Sequence, residues 1–267
     1  MASVEHVLRR PTATISFSDS GGDGRPIVFT HGAGVDHSMF DEQAAALSEC
    51  GYRVITWDMR EHGQSVSIRN TPFTADNARD DLLALLDECR LTRPIVVGHS
   101  LGGNLAQSLV RHHPQRVGGI IVLDATWNTG PLSAFERWAL KLASPALRAV
   151  PARALPRVMA RASASTATAI EKTEELFARM PKRTFIDVWK ATVSLITPDP
   201  GYRTPVPLAL IRGADDRTGN IATAMSRWAT AEGISEQVIA GAGHMLTWDA
   251  PEATTHALLT TLDSWKT

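Results

Sequence analysis

Six short, unbroken apolar runs alternate with longer stretches of helical spacing, and this alternation constrains the fold more than any other feature. The runs are PIVFTHG at 26–32, YRVITWD at 52–58, PIVVGHS at 94–100, GGIIVLDA at 118–125, VPLALIRGADD at 206–216 and SEQVIAGAGH at 235–244. A strand with water on one face alternates apolar and polar residues. Continuous apolar strands are buried on both faces, which is the habit of a parallel sheet covered by helices. The spacing predicts helices over 38–50, 74–90, 101–113, 220–232 and 250–264. The second of these places Ala78, Leu82, Leu85 and Leu86 on one face. Repeated strand–helix units specify an α/β class with crossover connections. Residues 12–18 add an antiparallel edge strand.

The alternation stops between 128 and 205, where no strand pattern occurs. Pro145, Pro151, Pro156 and Pro181 punctuate several helices there. Their apolar faces are Phe135, Trp138 and Leu142; then Ile170, Thr173, Leu176, Phe177 and Met180; then Phe185, Val188, Trp189 and Ile196. The expected organisation is a core of residues 1–127 and 204–267, with 128–203 inserted as a helical cap over the carboxyl ends of the strands. The block from 130 to 198 holds 11 Lys/Arg against 5 Asp/Glu, a net of +6. Such an excess either draws anionic substrates toward a cleft or marks solvated helix faces.

Composition removes other classes. The 267 residues are 43% hydrophobic with a net charge of −1, so neither disorder nor a nucleic-acid-coating surface is expected. No run reaches the ~18 apolar residues that a membrane span needs. The first residues have no apolar signal-peptide core. Cys50 and Cys89 have no metal-ligand spacing. A soluble protein of the reducing cytoplasm is expected, and no pattern specifies an oligomer.

The chemistry centres on Gly98-His99-Ser100-Leu101-Gly102, followed by Gly103, where a strand run meets a helical one. In that context G-x-S-x-G is a strained turn that lifts a serine above the sheet. The glycines are needed where side chains would strike the neighbouring strand and helix. The helix N-terminus behind Ser100 favours developing negative charge. A second loop, His31-Gly32-Ala33-Gly34, ends the strand at 26–32. The N–H groups of Ala33 and Leu101 are the candidate oxyanion donors. Gly34 permits close approach of the backbone, and His31 is expected to be structural.

A serine hydroxyl needs a base. Of nine histidines, His244 in GAGHML follows the last strand on a Gly-rich loop that can carry an imidazole over the sheet. The orienting carboxylate falls in Gly213-Ala214-Asp215-Asp216, with Asp216 preferred, Asp215 capping or solvated, and Asp124 after the 118–125 run the alternative acid. Met39, Phe40, Trp127, Trp138, Trp189 and Met245 join Gly34 as candidate pocket residues.

These motifs together resemble the α/β-hydrolase fold superfamily in its serine-nucleophile branch. PIVFTHGAG, VITWDMREHGQS, PIVVGHSLGGNLA, LIRGADD and GAGHM carry the likeness over essentially the whole chain, and Ser100, Asp216 and His244 follow that family's nucleophile–acid–base order. The resemblance implies a mostly parallel eight-stranded sheet with an antiparallel second strand, and hydrolysis with neither metal nor organic cofactor. The capped members include carboxylesterases, lactonases, carbon–carbon bond hydrolases and haloperoxidase-like perhydrolases. A small ester or lactone is the expected substrate; a receptor without catalysis on the same fold is the reading from another class. One departure stands out: Glu61 occupies a position where relatives often carry glycine, which bears on the local turn. A serine rather than aspartate nucleophile sets the chain apart from haloalkane dehalogenases and epoxide hydrolases.

Overall fold

The computed structural model describes residues 4–68 and 71–266; the outermost limits expected for the core, residues 1 and 267, lie outside them. The strands are β1 (Val4–Arg10), β2 (Ala13–Asp19), β3 (Pro26–Thr30), β4 (Arg53–Trp57), β5 (Val66–Ser67), β6 (Ile95–His99), β7 (Gly119–Leu123), β8 (Leu208–Gly213) and β9 (Gln237–Ile239). The helices are α1 (Asp41–Glu49), α2 (Ala75–Glu88), α3 (Leu101–His112), α4 (Ala134–Ala149), α5 (Leu155–Ser163), α6 (Ala167–Arg179), α7 (Lys182–Ser194), α8 (Ile221–Glu232), α9 (Leu246–Asp249) and α10 (Pro251–Ser264).

One sheet runs in the order β1-β2-β4-β3-β6-β7-β8-β9, and the two-residue β5 attaches to β2. From β4 through β9 all neighbours are parallel; β2 is antiparallel to both β1 and β4. The mostly parallel sheet flanked by helices is the expected one, with eight strands on the main path and β5 as a ninth. One position differs: the strand expected at the edge is second from it, because β1 pairs along its whole length. β1 escaped the sequence reading because only one of its faces is covered. Leu8 is buried while Val7 faces solvent, so no unbroken apolar run betrays it.

The central strands show why their sequences do not alternate. In β6, Val96 packs with Leu82, Leu105 and Met225 on one face of the sheet. Its neighbours Ile95 and Val97 pack with Phe40, Leu47 and Leu258 on the other. Thr74 caps α2 by accepting the Asn77 N–H at 3.1 Å, which fixes the start of that helix.

Between β7 and β8 the chain forms α4 to α7. Ser133 and Glu136 close a capping box at the start of α4. Pro145 does not end a helix as its sequence suggests; it lies inside α4. α5 packs on α6, α4 on α7, and α7 also touches α2. The Phe135–Trp138–Leu142 face of α4 is largely solvent-exposed rather than packed, at 72%, 57% and 42%. No helix among the described residues is long and apolar enough to cross a membrane.

Candidate active site

The turn from β6 into α3 is built by steric exclusion. A Cβ on Gly98 would collide with the backbone of Gly102 and Gly103, and one on Gly102 would collide with the Thr30 carbonyl. Ser100 is left at φ 50° and ψ −115°, a sparsely populated conformation for a residue with a side chain. Backbone atoms cannot swing aside, so Gly102→Ala is expected to lower stability by about 3 kcal/mol or more. Thermal melting against the parent checks this; an unchanged Tm would show that the turn is not sterically locked.

The loop after β8 brings Asp216 beneath the loop after β9. His244 Nδ1 donates to Asp216 Oδ2 at 3.0 Å, and both side chains are buried. The Thr218 N–H donates to the other carboxylate oxygen at 2.7 Å. Burial alone pushes the Asp216 carboxyl up, but the facing imidazole and these hydrogen bonds outweigh it and hold it at about 2. An aspartate ionised in this way fixes the proton on Nδ1 and leaves Nε2 of His244 as the basic nitrogen.

Asp124 sits beside this pair in a different state. Both its oxygens accept the Gly213 N–H, at 2.9 and 3.2 Å, and its backbone is at φ 40°. Complete burial, reinforced by the neighbouring Asp216 carboxylate, pushes its carboxyl well above the usual range. Asp215 is exposed.

His99 was not singled out by its sequence, yet it joins the two halves of the site. Its Nε2 donates to the main-chain carbonyl of His244 at 2.7 Å, and the two rings lie 4.7 Å apart at 51°. Burial drops the His99 pKa to about 3, so the ring is neutral. The residue preceding Ser100 thus holds the backbone of His244. The signal was the second residue of G-x-S-x-G, which a turn motif leaves unspecified. His99→Phe keeps a ring but removes the donor. It is expected to lower kcat by about tenfold to a hundredfold through misplacement of the imidazole, with KM little changed. Equal losses in kcat and gains in KM would argue for general loosening instead.

Ligand atoms of His99, Asp124 and His244 lie within 4.8 Å of one another, close enough to suit a metal ion. His99 Nε2, the Asp124 carboxyl and His244 Nδ1 each have a protein partner, the His244 carbonyl, Gly213 N–H and Asp216 respectively, whereas His99 Nδ1 is buried without one among the described residues.

The remaining predicted residues are placed as follows. Leu101 opens α3, and Ala33 lies in the turn after β3. Among the described residues neither N–H has a hydrogen-bond partner. His31 accepts the Met59 N–H on Nε2 at 2.9 Å and donates from Nδ1 to the Gly32 carbonyl at 2.7 Å, which braces the loop. Gly34, at φ 78°, lies under Phe177 of α6, and a Cβ there would meet that ring at 2.6 Å. Glu61 takes φ 63°, the conformation glycine would supply, and its side chain accepts the Ser67 N–H at 2.9 Å.

A cavity of about 330 Å³ contains Ser100 and Trp189. Its other walls come from α4, α7 and the segment 218–221, with Asn104, Leu140, Val193 and Ile196 among them. Trp138 is exposed, Trp127 is buried and stacked 6.2 Å from Trp228, and Met39, Phe40 and Met245 lie in the core. Gly34 lines a separate cavity with His37, His62 and Met180. Asn104 and Asn220, which carry no motif, connect the walls. Asn104 donates to the Thr126 carbonyl and to Asn128 Oδ1, at 3.0 and 2.6 Å. Thr126 Oγ1 donates to Asn220 Oδ1 at 2.7 Å, and Asn220 Nδ2 to Glu136 at 2.8 Å.

A serine on a strained strand–helix turn, with a carboxylate-held imidazole against the preceding residue, invites comparison with known proteins. The sequence profile of the alpha/beta hydrolase family matches residues 27–257. The chain belongs to that family. Similar members include 3-oxoadipate enol-lactonase 1 of Acinetobacter baylyi, 37% identical over 120 residues, 45% of this chain and 44% of that one. A non-heme chloroperoxidase of Kitasatospora aureofaciens is 36% identical over 110 residues, 41% and 40% of the two chains. The matches with these curated relatives span less than half of their length. Among solved structures, a thermophilic esterase from Thermogutta terrifontis superposes with a TM-score of 0.78 at 23% identity, covering 99% of both chains. That likeness supports the fold. A lactonase and a chloroperoxidase are thus among the chain's sequence relatives, and the esterase shares its fold.

Proposed function

We propose that the protein is a serine hydrolase that cleaves a small carboxylic ester or lactone through an acyl-enzyme on Ser100. The observation that carries this reading is the 3.0 Å bond from His244 Nδ1 to the buried Asp216 carboxylate, which leaves Nε2 as the basic nitrogen of a ring 4.7 Å from that of His99, the residue before Ser100. His244 takes the Ser100 proton as Oγ attacks the carbonyl carbon, and the carbonyl π electrons move to oxygen. The N–H groups of Ala33 and Leu101 stabilise that oxyanion. Its collapse breaks the bond to the leaving alkoxide, which His244 protonates. Water, deprotonated by His244, then releases the acid and returns the proton to Ser100. Asp216 holds the ring and stabilises its charged form.

The helices from 128 to 203 act in this reading as a cap that shapes the cavity above Ser100. The substrate is a small molecule, and the near-zero net charge speaks against a nucleic-acid partner. Two unpaired cysteines, Cys50 and Cys89, support a reducing, cytoplasmic setting. The chloroperoxidase relative supports one second reading, in which hydrogen peroxide rather than water attacks the acyl-enzyme, giving a peracid and free Ser100.

A panel of chromogenic esters and lactones, with peracid assayed in acetate and peroxide, tests both readings. Ester turnover abolished by a serine-directed organophosphonate, with one covalent adduct on Ser100, is the expected result. A folded protein that neither turns over any ester nor takes the adduct overturns the proposal in favour of a ligand-binding role.

A further inference from the structure

We propose that the substrate arm seated between α4 and α7 is uncharged and apolar, so that esters and lactones carrying a second, free carboxylate are poor substrates. This rests on the serine-hydrolase reading and names its substrate class.

The cavity that holds Ser100 is walled chiefly by Leu140, Ala143, Trp189, Val193, Ile196 and Ile221. At about 330 Å³ it is small for a ligand site. At roughly 30 Å³ for each water-sized group it takes on the order of ten non-hydrogen atoms. Among its described lining residues neither lysine, arginine nor histidine occurs, and Glu136 alone is charged. Glu136 cannot be neutralised cheaply. Its carboxylate accepts Asn220 Nδ2 at 2.8 Å and the Ser133 N–H at 2.6 Å, and these bonds hold its pKa below the usual range.

A substrate carboxylate in this space loses its water shell, finds no cation, and faces a fixed negative charge. An alkyl arm packs on the apolar part of the walls and gains its burial, while the other polar liners, Asn104, Thr126, Thr192, Thr218 and Asn220, are uncharged. Phe135 lines the same cavity while 72% exposed, so the entrance is apolar as well. Among the described lining residues, none of the cations behind the net +6 of the 130–198 segment occurs. Arg137, Arg148, Arg157 and Arg161 are all exposed, which makes them solvated helix faces rather than an anion site.

The test compares two substrates of equal chain length, p-nitrophenyl hexanoate and the p-nitrophenyl monoester of adipic acid. The neutral ester is expected to have a kcat/KM at least about 100-fold higher, equal to about 2.7 kcal/mol at 1.36 kcal/mol per tenfold. Val193→Lys, which adds a cation to the wall, is expected to narrow that ratio at least about tenfold. Equal or better turnover of the anionic ester by the parent overturns the inference while leaving the hydrolase reading intact. Where neither ester turns over, binding decides. Tryptophan fluorescence of the Ser100→Ala protein should report 2-octanone binding more tightly than 7-oxooctanoate, and the reverse order overturns the inference independently of catalysis.

Discussion

Ser100→Ala protein is expected to hydrolyse a chromogenic ester about 10⁴-fold more slowly than the parent, or worse, with no loss of fold. The magnitude follows from the unit behaviour of a nucleophile, base and orienting acid: without the hydroxyl, neither His244 nor Asp216 has a proton transfer to assist. Alanine keeps the Cβ that makes φ 50° unfavourable, so its melting temperature should match the parent's. Ser100→Gly makes the companion case. Glycine relieves a backbone strain of about 1–3 kcal/mol, partly offset by about 1 kcal/mol of extra unfolded-state freedom. A dead enzyme that melts a few degrees higher than the parent is the expected outcome. Ester turnover by Ser100→Ala within tenfold of the parent sinks the nucleophile assignment. An unshifted or lowered Tm for Ser100→Gly shows that the turn stores no more strain than the unfolded-state freedom that glycine adds.

The second large effect separates two carboxylates that stand side by side. Asp216→Asn should lower kcat by about 10⁴-fold, because an amide no longer requires the proton on Nδ1 and the imidazole can present the wrong tautomer. Asp124→Asn should cost less than about tenfold. Burial and the neighbouring Asp216 carboxylate push the Asp124 carboxyl toward its neutral form, and an asparagine carbonyl can still accept the Gly213 N–H. The order of the two losses, from kcat in purified variants of matched secondary structure, identifies the acid. Collapse in Asp124→Asn with survival of Asp216→Asn moves the orienting role to the end of β7.

The parts of this site that are legible in the sequence are those set by local backbone. Gly98, Gly102 and Gly103 report a turn that only glycines can make, and that turn identifies Ser100. The two-sided burial of β6 shows directly in its unbroken run of apolar residues. The partner of His244 was harder to read, because Asp215 and Asp216 are adjacent and chemically alike. What separates them is that one is exposed and the other fully buried against His244, a property of the assembled sheet. Glu61 takes the left-handed conformation despite its side chain, so the departure from the glycine often found in relatives does not abolish that turn. The walls of the cavity were the least legible. Helical periodicity places Trp138 and Trp189 each on an apolar face, but it does not say which face meets the sheet. Trp189 lines the cavity with Ser100, whereas Trp138 projects into solvent. His99 and Asn104 act through hydrogen bonds to distant segments, for which the sequence holds no short-range mark.

The bond from His99 to the His244 carbonyl joins residues 145 positions apart. During synthesis the serine turn emerges from the ribosome long before the segment that carries its proton acceptor. The site needs β9 docked beside β8 and the following loop over the sheet before His244 stands near the serine turn. On the proposed mechanism, ester turnover therefore requires the segment after β9 to be in place, and a chain truncated before His244 is expected to show none.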